Sequence, residues 1–182
     1  STPLRVCRSQ RILIHKTFKG IAQRGKCSMG WFFGFKLHLI CNEKGELLNF
    51  MITPGDVDDR RPLEYKAFVE FIYGKLVGDR GYISKNLFER LFIDGIQLIT
   101  KLKSNMKGAL MSVSDKLLLR KRAIIETIND ELKNIAQVEH SRHRCFDNFI
   151  VNMLGALAAY CCFPKKPCIN IERTIDTQLK LF

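Results

Sequence analysis

Hydrophobic and polar positions alternate most regularly between Phe33 and Cys41. Phe33, Phe35, Leu37, Leu39 and Cys41 fall on one side and Gly34, Lys36 and His38 on the other, the period of two expected of a strand. Asn42-Glu-Lys-Gly45 reads as a turn and Leu47 to Ile52 as the returning strand of a hairpin, which Thr53-Pro54-Gly55 breaks. The period then lengthens. Leu63, Ala67, Phe71 and Ile72 share a helical face, with Asp58 or Asp59 as the cap and Gly74 as the stop. Lys75 to Asp79 predicts a short strand ending in a tight Arg80-Gly81. Ser84 caps a second helix with Leu87, Phe88, Leu91 and Phe92 on one side and Gly95 at its end. Ile96 to Leu102 reads as a strand, Lys103 to Gly108 as a basic loop, and helices follow over 114–136 and 147–162. Strands interleaved with helices predict an α/β fold, a mixed sheet flanked by helices. Ser1 to Cys7 is expected to supply what remains of a first strand beside the hairpin. Gly20, Gly25 and Gly30 mark the segment between as irregular.

Charge changes this picture more than composition does. Over 182 residues the formal net charge is +12, and from Ser1 to Asn42 there is no Asp or Glu at all. That excess points to a polyanion, nucleic acid before a membrane surface. No segment reaches the roughly 18 apolar residues of a spanning helix; Phe149 to Phe163, broken by Asn152, fits a buried helix better. Seven cysteines without a CxxC pair do not make a disulfide framework, and the adjacent Cys161 and Cys162 read as core thiols of a cytoplasmic protein.

Two carboxylates stand out. Asp79 closes a predicted strand, where open α/β sheets place their crevices; taken singly it reads as an acid bracing a turn. Glu126 lies in Arg122-Ala-Ile-Ile-Glu126-Thr-Ile-Asn-Asp-Glu-Leu-Lys133. On an unbroken helix Arg122, Glu126 and Lys133 fall within roughly 40° of one another, opposite Ile124, Ile128, Leu132 and Ile135. Taken alone, that stripe reads as a solvated face. Two acids from separate elements in so basic a chain can instead hold Mg²⁺, with Mn²⁺ as the alternative, for an in-line attack on phosphorus.

These segments carry a resemblance. Arg122, Glu126 and Lys133, with three and six residues between them, resemble the Arg, Glu and Lys of the Tyr–Arg–Glu–Lys signature in DDE-type transposases of bacterial insertion sequences. Val77-Gly-Asp79-Arg-Gly-Tyr82 is similar to that family's second-Asp motif, and Thr53-Pro-Gly-Asp-Val-Asp-Asp59 to the segment before it. Ser1-Thr-Pro-Leu4 resembles the residues directly after its first catalytic Asp. Leu119 stands where the signature has Tyr.

The resemblance implies an RNase H-like fold over 1–163 with its first strand truncated, and a tail over 164–182. It implies Asp79 and Glu126 as catalytic acids and metal ligands, and Arg122 and Lys133 as DNA contacts, while Lys101 and Lys103 fit a backbone-binding loop. The expected partners are double-stranded DNA, as element ends and target, and a second copy of the chain; no membrane is expected, and the location is the bacterial cytoplasm at the nucleoid. Because the first Asp would stand ahead of Ser1, the chain by itself is expected to be inactive. The competing expectation is a non-catalytic DNA-binding remnant; a basic RNA-binding protein is the third.

Weaker candidates remain. His140 and His143, beside Arg142 and Arg144, read as a basic patch rather than a metal pair, and His15 and His38 as surface or strand residues. Trp31, Phe32 and Phe33 read as core or strand packing in preference to a base-stacking platform.

Overall fold

The alternation around residue 35 builds the central strand. In the computed structural model, which describes residues 1–7, 9–101, 111–139 and 143–169, β3 (Gly30–Cys41) is paired on both edges. On one edge lies β1 (Thr2–Cys7), antiparallel, running from Thr2 opposite Leu37 to Cys7 opposite Phe33. On the other lie β2 (Gln23–Cys27) and β4 (Leu47–Pro54), also antiparallel, one after the other along β3. The expected first strand is therefore present, as is the hairpin. Sequence reading missed β2, because its QRGKC has no apolar alternation to announce it.

β3 is buried on both faces. Phe33, Phe35 and Leu37 join Leu4, Phe18, Ile128, Leu132, Phe149, Met153 and Tyr160 in the larger core. Ile40 faces the other way, into a smaller core with Leu63, Phe68, Val69, Leu87, Leu91, Ile96 and Leu98. The Tyr160 hydroxyl, buried, donates to the Gly45 carbonyl at 2.7 Å and fixes the last helix to the hairpin turn.

A second, parallel sheet carries β5 (Gly74–Gly78) and β6 (Ile96–Thr100), with Gly78 opposite Thr100. Between them α2 (Lys85–Ile93) starts at the predicted Ser84 cap, whose hydroxyl accepts from Leu87 N. Leu87 and Leu91 are buried as expected, but Phe88 and Phe92 are exposed, since the buried stripe of so short a helix admits only one side chain per turn.

Three helical expectations need correction. The helix expected after Asp58 or Asp59 shrinks to a 3₁₀ turn over Arg61–Glu64 and a single turn, α1 (Lys66–Val69). Neither aspartate caps it. Asp58 accepts from Arg60 N and pairs with the Arg60 guanidinium at 2.6 Å, while Asp59 lies against Lys36, so both carboxylates are drawn away by cations. The helix over 114–136 is two helices, α3 (Val113–Lys121) and α4 (Ile124–Asn134), because Arg122 and Ala123 tighten toward i→i+3 bonding. Phe146–Cys161 forms α5, amphipathic rather than wholly buried, with Val151, Leu154 and both Cys161 and Cys162 exposed. The adjacent cysteines are therefore not core thiols. Residues after α5 do not leave the body at once: Ile169 N donates to the Glu43 carbonyl at 2.7 Å, beside the hairpin turn.

No helix among the described residues is long and apolar enough to cross a membrane.

Candidate active site at the ends of β1 and β5

The β5–β6 register puts Asp79 and Lys101 side by side, each one residue beyond the last paired positions, Gly78 and Thr100. This is the carboxyl edge of a parallel pair, where side chains leave the sheet toward solvent. Asp79 Oδ1 accepts from Arg80 N at 2.7 Å and pairs with the Arg122 guanidinium, also at 2.7 Å; among the described residues its Oδ2 is left open. The Arg80 N–H bond, followed by the Arg122 charge, holds the Asp79 carboxyl below its ordinary range despite partial desolvation.

Arg122 reaches Asp79 because it sits at the break between α3 and α4, not because a continuous helix carries it there. The stripe drawn on one ideal helix therefore does not hold as drawn. Glu126 follows in the first turn of α4, exposed and, among the described residues, without a hydrogen-bond or ion-pair partner. Ile128 and Leu132 are fully buried behind it and fix the helix to the sheet, whereas Ile135 is exposed past the helix end.

Lys133 closes the arrangement from the other side. Its ammonium donates to the Pro3 carbonyl of β1 at 2.9 Å and lies 3.4 Å from Glu139, which also accepts from Arg5 N. Lys133 is thus engaged with the start of β1. Lys101 is exposed; Lys103, together with Lys107, His140 and Arg142, lies outside the described residues. His143 has its ring edge-on to Phe149, 5.5 Å between centroids.

The opposite wall comes from β3 and the loop after β4. Lys36 Nζ donates to the Val57 carbonyl at 2.8 Å and lies 3.0 Å from Asp59. Ser1, at the start of β1, lies within electrostatic reach of Asp59, Lys36 and Asp79. Tyr82, after Asp79, is pushed well above the ordinary phenol range by burial first and then by Asp59, Asp79 and Asp58. The start of β1, the 58–59 loop and the end of β5 therefore share one electrostatic neighbourhood, which sequence reading did not join to Asp79. The TPGDVDD segment was the available signal.

His38, on the same face as Lys36, is a buried strand residue whose Nε2 lies 2.9 Å from Thr53 Oγ1. Burial holds its pKa below the ordinary imidazole range. The unfolded ring takes a proton near pH 6.5 and the folded ring only at lower pH, so stability falls as pH drops below about 6.5. Urea titrations between pH 5 and 7 check this: the slope should flatten in His38→Gln, and an unchanged slope assigns the loss to other groups.

Among the described residues no group of three or more His, Cys, Asp or Glu side chains is placed to hold a metal ion. Asp79 and Glu126 offer two carboxylates, one with an open oxygen and the other unpartnered. That donor set suits a hard cation that keeps most of its waters.

The transposase DDE domain family matches residues 1–146, which hold β1 through β6, both acids, Arg122 and Lys133. No curated protein and no solved structure shows a detectable match. With four-fifths of its length matched, the chain belongs to the transposase DDE domain family.

Proposed function

We propose that the chain is the catalytic body of an insertion-sequence DNA transposase, in which Asp79 and Glu126 hold divalent ions for strand cleavage and strand transfer. One observation carries this reading: the cation that grips Asp79 is Arg122, four residues ahead of the unpartnered Glu126. One residue, Arg122, thus links Asp79 to the start of the helix that carries Glu126, although 47 positions separate the two acids in the chain. Mg²⁺, or Mn²⁺, would activate the attacking oxygen and stabilise the leaving one. The chain's own part is to present carboxylate oxygens at a sheet edge and to hold phosphates with Arg122 and Lys101. Lys133 then acts chiefly by fixing α4 to β1. Lys103, outside the described residues, is proposed as a further phosphate contact.

The register leaves room for an RNase H-like sheet. Thr2 opposite Leu37 leaves residues 39–41 of β3 unpaired on the β1 side among the described residues, and the edge of β5 away from β6 is likewise unpaired. A strand running on ahead of Ser1 would pair with Leu39 and Ile40 and lie toward β5, joining two sheets into one. It would bring the residue directly ahead of Ser1 beside Asp79, which is where the family resemblance puts the first acid. Two-ended DNA substrates fit a dimer, a second copy supplying the second site. Residues 1–163 form the domain and 164–182 its tail.

The test is a version of the protein carrying an apolar strand and an Asp directly ahead of Ser1. Mg²⁺-dependent nicking at the ends of its element is the expected result. Salt-sensitive DNA binding with no cleavage in that version would favour a DNA-binding remnant, a reading that Leu119, buried where the signature has Tyr, keeps open.

A further inference from the structure

β2 and the first residues of β3 form a hairpin that the active site does not use. Trp31 was expected in the core with Phe32 and Phe33. Those two are buried, but Trp31 is 67% exposed. An indole so exposed loses the burial that usually places tryptophan, so its position needs another reason.

Its surroundings supply one. Lys26 is directly opposite Trp31 in the ladder, with its ammonium 6.0 Å from the ring centroid. Arg24 lies two residues along the same strand, on the same face, and is exposed. Among the described residues neither cation has a carboxylate partner. Ile12, Arg24, Trp31 and Phe32 line a groove of about 470 Å³.

The platform is also firmly backed. A Cβ at Gly25 would run into the Gly55 carbonyl, so the hairpin lies directly on the loop after β4. An exposed aromatic face, two cations without a carboxylate partner among the described residues and an apolar floor together fit one kind of ligand. It is a polyanion with a flat apolar face available, a nucleic acid strand with an unstacked base. A duplex hides those faces in its own stack, and a lipid surface offers none.

We propose that this hairpin binds unpaired DNA, one base stacking on Trp31 while Arg24 and Lys26 take the flanking phosphates. The inference rests on DNA as the substrate of the proposed function and not on its metal chemistry. Trp31 is five residues along β3 from Lys36, or roughly 17 Å at the rise of an extended strand. At the stacked spacing of about 3.4 Å that is about five nucleotides, and an unstacked strand spans it with fewer, so a strand end opened at the active site can reach the hairpin.

Trp31 is the single tryptophan of the chain, so its emission reports on this site directly. Titrating the full chain with a 12-nucleotide single-stranded oligonucleotide should quench that emission, and the matching duplex should quench it much less. Trp31→Ala should weaken single-strand binding roughly tenfold, followed by anisotropy of a labelled strand, with duplex binding unchanged. Trp31→Phe should restore most of it, and Arg24→Ala with Lys26→Ala should flatten the salt dependence. Emission unchanged at saturation, equal quenching by duplex, or wild-type affinity in Trp31→Ala would each overturn the proposal. Quenching that persists in Glu126→Gln keeps this site standing even if no cleavage is ever found; cleavage without quenching refutes the hairpin site and spares the active site.

Discussion

Glu126→Gln, made in the version with an acid ahead of Ser1, is expected to lose metal-dependent cleavage by roughly a thousandfold or more while still folding and binding DNA. Gln keeps the shape and removes only the charge. Because the Glu126 carboxylate is exposed and unpartnered, its neutralisation breaks no contact of the folded chain. Stability should change by less than about 0.5 kcal/mol, the usual scale for surface substitutions. The catalytic loss is large for the opposite reason: acids that share ions act as a unit, and removing one costs nearly as much as removing all. A structural residue would show the reverse pattern, a lowered melting temperature with activity preserved in what remains folded. Single-turnover nicking on element-end DNA, beside thermal melts of the same preparations, separates the two. Cleavage within a few-fold of the parent would remove Glu126 from the site.

Asp79 gives the companion case and shows why its ion pair is not a stability device. Its side chain is 64% exposed and that of Arg122 32%, so solvent screens most of their attraction. On the proposed function, a pair so weakly stabilising leaves both groups able to exchange it for other partners. A divalent ion can take the carboxylate, and a phosphate the guanidinium.

Several parts of this arrangement were legible in the residues. The alternation of Phe33 to Cys41, the Ser84 cap and the glycine stop at Gly95 are local signals that local structure obeys, whereas the helix expected to run to Gly74 ends at Val69 and Gly74 opens β5. Asp79 at a strand end was readable because Gly78 and Gly81 bracket it. Other features depend on long-range contacts that no window contains. The break at Arg122 and Ala123 has no glycine or proline to mark it. Asp58 and Asp59 look like helix caps until Arg60 and Lys36 claim them. Trp31, Phe32 and Phe33 are one apolar run in sequence, yet Trp31, although paired with Lys26 of β2, stays exposed while the next two are buried. The proximity of Ser1, Asp59 and Asp79 is tertiary throughout, and only the order of family-like segments hinted at it.

The largest stability effect is expected at Gly34, where β1 and β2 flank β3 at one residue. Gly34 faces Arg5 on one side and Gln23 on the other, and its carbonyl accepts from Gly55 N at 3.0 Å. Its φ of 155° lies at the edge of the region that side chains rarely adopt, and a Cβ there would collide with the Leu4 carbonyl, which is backbone and cannot swing aside. The β1 register already shifts between Arg5 and Cys7, so the strand has little slack to yield. Gly34→Ala should therefore cost several kcal/mol, on the scale of backbone strain added to overpacking, and should separate β1 from β3. Separation would carry Pro3 away from Lys133 and the start of β1 away from Asp79, so any binding of divalent ions should fall with the fold. Gly155→Ala makes the contrast. That glycine is exposed in α5 with no atom within 4 Å of the added methyl, and the change should stabilise by about 0.5–1 kcal/mol through helix propensity. Urea denaturation of the two variants against the parent reads both signs. A Gly34→Ala protein as stable as the parent would mean that β1 does not lie against β3 as described, and the site assembled at its first residue would go with it.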